Sequence, residues 1–140
     1  MDNIDFIVER KILKIGNKLN YLRKEDLQKY NLTSTQSETI LFYSSNEGKS
    51  INDLKNHLKI SHQAAKKLID KLKEKGYVSV SISAEDARFC CIHLTDSGKE
   101  LCRTLKQNGA LAGSCILSNL SLSEKQNLLN YLNEIEKNFE

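Results

Sequence analysis

The chain has 140 residues, of which 39% are hydrophobic, with no proline and six glycines. That is enough for one ordinary core, or for a core completed by a second copy of the chain. A net charge of +3 makes it only mildly basic. No apolar run approaches the ~18 residues of a membrane span and no signal-peptide pattern is present, so a cytoplasmic protein is expected. A Gly-rich phosphate loop, a His-Glu-x-x-His motif and a serine-nucleophile elbow are all missing from the sequence. With no nucleophile–base pair or metal motif, neither an enzyme nor a cofactor is expected.

Most of the chain reads as helix. Ile4, Val8, Ile12, Ile15, Leu19 and Leu22 follow a three-four spacing that predicts a first helix over residues 4–30. Two readings stand for this long stripe: it packs on its own domain, or it buries against a partner chain. Thr33-Ser34-Thr35-Gln36 has the spacing of a capping box and opens a second helix, with Ile40, Leu41 and one of Phe42 and Tyr43 facing inward. Asn46-Glu47-Gly48 ends it. Ser50-Ile51-Asn52-Asp53 opens a third, short helix with Ile51, Leu54 and Leu58 on its apolar side.

Ser61 then reads as the N-cap of a fourth helix and Gly76 as its stop. Ala65, Leu68, Ile69 and Leu72 form its apolar stripe, while His62, Gln63, Lys66, Lys67 and Lys71 fall away from it. Two helices joined by about three residues, the second of them basic, suggest a helix-turn-helix. Residues 77–82 alternate and are rich in β-branched side chains, residues 83–86 read as a turn, and residues 88–94 form a second β-prone run. Helix, turn, helix and hairpin describe a winged helix. Residues 50–88 hold eight basic and five acidic side chains, so this segment alone carries the net charge of the whole chain. Lysines on an exposed face serve solubility or phosphate binding, and charge alone does not choose between them. Thr95 reads as the N-cap of a fifth helix with Leu101, Leu105, Ala112 and Ile116 on one side and Gly109 and Gly113 in its middle. Ser121-Leu122-Ser123-Glu124 is a third capping box, opening a last helix with Leu128, Leu132, Ile135 and Phe139 on one face.

Three pieces of sequence, in order and at matching distances, resemble the MarR family of transcriptional regulators. The first is Asp86-x-Arg88 followed by an apolar strand and Leu94-Thr95-x-x-Gly98, similar to that family's wing signature. The second is residues 72–78, similar to its recognition-helix exit. The third is Leu32-Thr33-x-x-Gln36, similar to its second-helix entry. The resemblance implies a mainly α fold with a small β-hairpin wing (α+β), a winged helix-turn-helix with N- and C-terminal dimerisation helices. Residues 1–32 would be the N-terminal dimerisation helix, 33–95 the DNA-binding region and 96–140 the C-terminal dimerisation helices, all within one compact domain. It further implies a homodimer on a pseudo-palindromic operator in double-stranded DNA, most often a repressor that responds to a small-molecule effector. His62, Gln63, Lys66 and Lys67 are then the expected major-groove contacts and Arg88, beside Asp86, the minor-groove contact. The chain departs from the pattern in its wing, where Val80, Ser81 and Ala87 stand at positions that many relatives fill with basic residues. An alternative follows from that departure: a winged-helix interaction module with weak or no DNA binding.

For sensing, Tyr21, Tyr30, Phe42 and Tyr43 read either as core or as a ligand pocket, and no ligand residues are assigned. The cysteines, Cys90, Cys91, Cys102 and Cys115, are expected to be reduced. Cys102, one turn into helix five and beside Arg103, is the redox candidate; the alternative is a small apolar side chain. Cys91 and His93 share a strand face, but no paired-ligand spacing supports a metal.

Overall fold

The computed structural model describes residues 1–86, 88 and 90–140; Ala87 and Phe89, both within the expected wing signature, lie outside the described residues. Among these residues six α-helices and one hairpin follow in the order α1 (Ile4–Gln28), α2 (Ser34–Ser45), α3 (Ile51–Leu58), α4 (His62–Glu74), β1 (Val78–Ile82), β2 (Cys90–Leu94), α5 (Asp96–Ile116) and α6 (Leu122–Glu136), with a closing 3-10 turn over Lys137–Phe139. The expected mainly α winged helix is therefore the fold. The chain divides into two compact units, Met1–Cys102 and Arg103–Glu140. Within the first unit α1 packs on α2, with Arg23 and Glu38 paired at 2.6 Å and Leu27 and Leu32 buried.

All three expected capping boxes form. Thr33 Oγ1 accepts from the Gln36 amide at 3.2 Å, and the Gln36 side chain accepts from the Thr33 amide. Ser50 and Asp53 do the same at α3, and Ser121 and Glu124 at α6. α1 stops at Gln28, two residues short of the expected end, as the chain turns through Asn31 in the left-handed region (φ 55°). Asparagine tolerates that conformation better than most residues.

In the first unit, α2, α3, α4 and the hairpin enclose a core of Ile40, Tyr43, Leu54, Ala65, Ile69, Leu72, Val78 and Ile92. On α2 it is Tyr43, not Phe42, that is fully buried, and Leu41 is only half-buried. Tyr43 donates its hydroxyl hydrogen to the Ser50 carbonyl at 2.8 Å, which satisfies the buried phenol and ties α2 to the cap of α3. Burial pushes its pKa up, and the charge of Asp53 adds to the shift. Phe42 instead stacks on His57 of α3, with ring centroids 4.7 Å apart.

The hairpin is antiparallel, pairing Val78 with Leu94, Val80 with Ile92 and Ile82 with Cys90. Val78, Ile92 and Leu94 face the core at its root, whereas Ile82, near the tip, is 68% exposed. The other edge of β2 is also paired: Gly48 donates to the Ile92 carbonyl and Ile92 donates to the Lys49 carbonyl.

In the second unit α6 buries no residue, and Leu122, Leu129, Tyr131, Leu132 and Ile135 are exposed. In the first, the α1 stripe is uncovered as well: Ile4, Val8, Ile12, Ile15, Leu19 and Leu22 are all exposed apolar side chains. Among the described residues no helix is long and apolar enough to cross a membrane.

Candidate nucleic-acid interface

The site is built on α4. Ser61 caps its start, accepting from the Ala64 amide at 3.1 Å. Its end is a complete Schellman closure. Gly76, at φ +83°, donates to Lys73, and Tyr77 reaches back to the Leu72 carbonyl at 2.9 Å. Between these stops Ala65, Ile69 and Leu72 are sealed in the core. His62, Gln63, Lys66 and Lys67 are all exposed on the opposite side, the first two at the very start of the helix. The structure thus brings together the four α4 residues expected to contact DNA. No carboxylate pairs with Lys66 or Lys67 among the described residues, while Lys71 lies 3.8 Å from Glu74. An unpaired ammonium on a packed helix is free to meet a phosphate.

Not every lysine of the segment belongs to this face. Lys75 turns inward, donating to the Asn31 carbonyl at 2.5 Å and lying 3.4 Å from Gln36 Oε1. One of the eight bases therefore fastens the exit of α4 to the α1–α2 turn. The sequence carries no local sign of this, because the partners lie 44 and 39 residues away.

The hairpin supplies the second part. Arg88 is exposed, its guanidinium forked onto Asp86: Nε to Oδ1 at 3.1 Å and Nη2 to Oδ2 at 2.9 Å. The Asp86 carboxylate also accepts from the Arg88 backbone amide at 3.0 Å. Hydrogen bonds from Arg88 hold the Asp86 carboxyl below the usual carboxylate range, and Asp86 in turn raises the Arg88 pKa. Asp86 orients the arginine in a bent turn and leaves its outer edge to solvent. The first wing strand brings no further base, since Val80 is half-buried and Ser81 is exposed but neutral.

The Leu-Thr-x-x-Gly string joins these parts. Thr95 accepts from the Gly98 amide at 3.0 Å, capping α5 as expected, and donates its hydroxyl hydrogen to the Gly76 carbonyl at 2.5 Å. Its own amide donates to the Tyr77 carbonyl at 3.0 Å. A Cβ on Gly98 would sit 2.1 Å from that same Tyr77 oxygen. Only glycine lets α5 start this close to the exit of α4.

The sensor candidates fare differently. Cys102 is 4% exposed. Burial shields a thiol from solvent oxidants, which works against the environment a redox cysteine needs; the apolar reading describes its surroundings better. Cys91 and His93 do share a hairpin face, with Ser81 and Ser79 opposite, and His93 lies 3.6 Å from Glu47. Among the described residues no three His, Cys, Asp or Glu side chains are grouped as metal ligands would be.

Residues 30–88 match the model of the MarR family. No curated protein sequence matches the chain. Among solved structures, a MarR protein from Peptoclostridium difficile is 22% identical, covering 99% of this chain and 91% of its own, with a TM-score of 0.86. Streptococcus pneumoniae FabT in complex with DNA is 17% identical, covering 94% of each chain, at a TM-score of 0.84. An S. aureus MepR–DNA complex is 18% identical, covering 99% of this chain and all of that one, at 0.81. Over residues 30–88, its winged-helix region, the chain is similar to the MarR family.

Proposed function

We propose that the chain is a sequence-specific regulator of transcription that binds double-stranded DNA as a homodimer. The observation that carries this is the division of α4: one face is locked into the core, and the other offers His62, Gln63, Lys66 and Lys67 to solvent with no acidic partner among the described residues. Such a helix gives cations to phosphates and polar side chains to base edges in a major groove. Gln63 suits adenine, and the lysines suit phosphate or guanine. The family match and the DNA complexes among the structural neighbours support DNA over a protein-only partner. On this reading the protein works in the cytoplasm, with its DNA. A repressor whose grip on DNA changes with a small-molecule effector is the finer form of the proposal, and it rests on the family. The test is fluorescence anisotropy with the DNA upstream of its own gene against scrambled DNA at two salt concentrations. Selective binding that weakens steeply with salt is expected; equal, weak binding to both, with no fragment enriched in a genome-wide selection, would overturn the reading.

Arg88 is proposed as the wing contact. Arg88→Ala should leave the thermal midpoint unchanged, because the side chain is exposed and its pair with Asp86 is solvated. It should weaken operator binding by roughly 30-fold at 0.15 M salt, given about 0.9 counterions released per phosphate and two wings per dimer. Wild-type affinity in this variant would remove the wing from the interface.

The homodimer is argued from uncovered apolar surface. Six large side chains along one face of α1 lie open in the single chain, more than a soluble surface ordinarily leaves contiguous. Ile12→Asp combined with Leu19→Asp should therefore yield a folded monomer in sedimentation velocity. It should lose most operator affinity, since two half-sites are no longer engaged at once. A wild-type chain that is already monomeric would refute the dimer.

A further inference from the structure

The turn between α3 and α4 holds a lysine where the backbone calls for glycine. Lys59 sits at φ 55°, ψ 50°, the left-handed region, and closes α3 by donating its amide to the Lys55 carbonyl; the Ile60 amide reaches the same carbonyl at 3.2 Å. This is the position at which helices most often carry glycine, because a Cβ there crowds the neighbouring carbonyl. Asn31, the other non-glycine at positive φ among the described residues, is of a type that adopts this conformation readily. Lysine is not. Nothing in the fold rewards the choice: the Lys59 side chain is exposed, and no carboxylate pairs with it among the described residues. Strain retained at a solvated position, without a compensating contact inside the protein, points to a contact outside it.

We infer that Lys59 is a DNA-backbone contact, held at the mouth of α4 by a turn that would be more stable with glycine. The inference rests on the DNA-binding reading above and extends it to a residue outside the recognition helix. Lys59 lies three residues before His62, on the approach to the end of α4 that carries His62 and Gln63. In a helix-turn-helix the start of the second helix enters the groove, so the turn ahead of it passes the flanking phosphates. A cation there sets how far the helix enters and carries no base preference of its own.

Three variants separate strain from charge: Lys59→Gly relieves the backbone and removes the charge, Lys59→Gln removes the charge alone, and Lys59→Arg keeps it. Binding is measured on the full-length protein with a mixed-sequence duplex across a salt series, beside a thermal melt. Phosphate contacts register on any duplex, so no operator is needed. Lys59→Gly should melt roughly 4 °C higher than wild type. Lys59→Gly and Lys59→Gln should both bind about fivefold more weakly per contact at 0.15 M salt, with the log–log salt slope shallower by about 0.9 per protomer engaged. Lys59→Arg should keep the slope. Wild-type binding and slope in Lys59→Gln would overturn the contact, and a lower melting point in Lys59→Gly would overturn the strain. A wild-type protein that binds no duplex would instead remove the functional reading, and this inference with it.

Discussion

Gly98→Ala is expected to lower stability by about 2 kcal/mol, although alanine is the better helix former. Two effects oppose each other. In the first turns of α5 the exchange would ordinarily gain about 1 kcal/mol in helix propensity. Here the new methyl would lie 2.1 Å from the Tyr77 carbonyl oxygen, a backbone atom already accepting from the Thr95 amide. That oxygen cannot swing aside as a side chain would, so α5 must shift by about 1 Å, and overpacking of this kind costs about 3 kcal/mol. The net loss corresponds to a fall in melting temperature of roughly 8 °C. Gly109, on the same helix, serves as the control. An added Cβ meets nothing within 4 Å there, so Gly109→Ala should raise the melting point. If both variants melt like wild type, the close approach of α5 to the exit of α4 is wrong.

The largest functional effect is expected from Lys66→Ala combined with Lys67→Ala. Both side chains are exposed and have no carboxylate partner among the described residues, so the melting temperature should move little. The expected DNA consequence is large because the proposed dimer loses four cations at once. At about 0.9 released counterions per phosphate, four contacts are worth on the order of 10³ in affinity at 0.15 M salt, with the log–log slope shallower by about 3.6. A competition titration at several salt concentrations reads both quantities. A parallel loss on all sequences assigns the lysines to phosphates, and a loss confined to sites with a particular guanine assigns one of them to that base. Unchanged affinity would mean that this face of α4 does not meet DNA.

What could be read from the sequence was what is decided within a few residues. The three capping boxes each close over three residues, so Thr33 with Gln36, Ser50 with Asp53 and Ser121 with Glu124 stood in plain view. The alternation over residues 77–82 marked the strand, though only its root at Val78 is buried and Ile82 is exposed, and Gly76 marked the end of α4. The exposed face of α4 followed from its apolar stripe by elimination. Hidden from the sequence were the contacts between distant segments. Lys75 looked like one more surface cation until its partners, Asn31 and Gln36, were brought alongside. Gly98 belonged to a recognisable string, yet the reason for a glycine appears only when Tyr77 lies against it. Cys102 was read either as a redox candidate near a helix start or as a small apolar side chain, and its burial was not visible in the sequence. Lys59 was the one miss with a local signal. Nothing but lysine, isoleucine and serine fills the link between α3 and α4, so a non-glycine residue had to make its turn.

The bonds of Thr95 to Gly76 and Tyr77 also have a mechanical consequence. They fasten the first turn of α5 to the end of α4 and the root of the hairpin at a single junction. Re-aiming α4 or the root of the hairpin alone would therefore break that junction. On the proposed function, a signal that changes the grip on DNA then acts by carrying whole winged helices of the dimer nearer or further apart. Operators differing only in the spacing of their half-sites should separate the signalled from the unsignalled protein, while the bases preferred within each half-site stay the same.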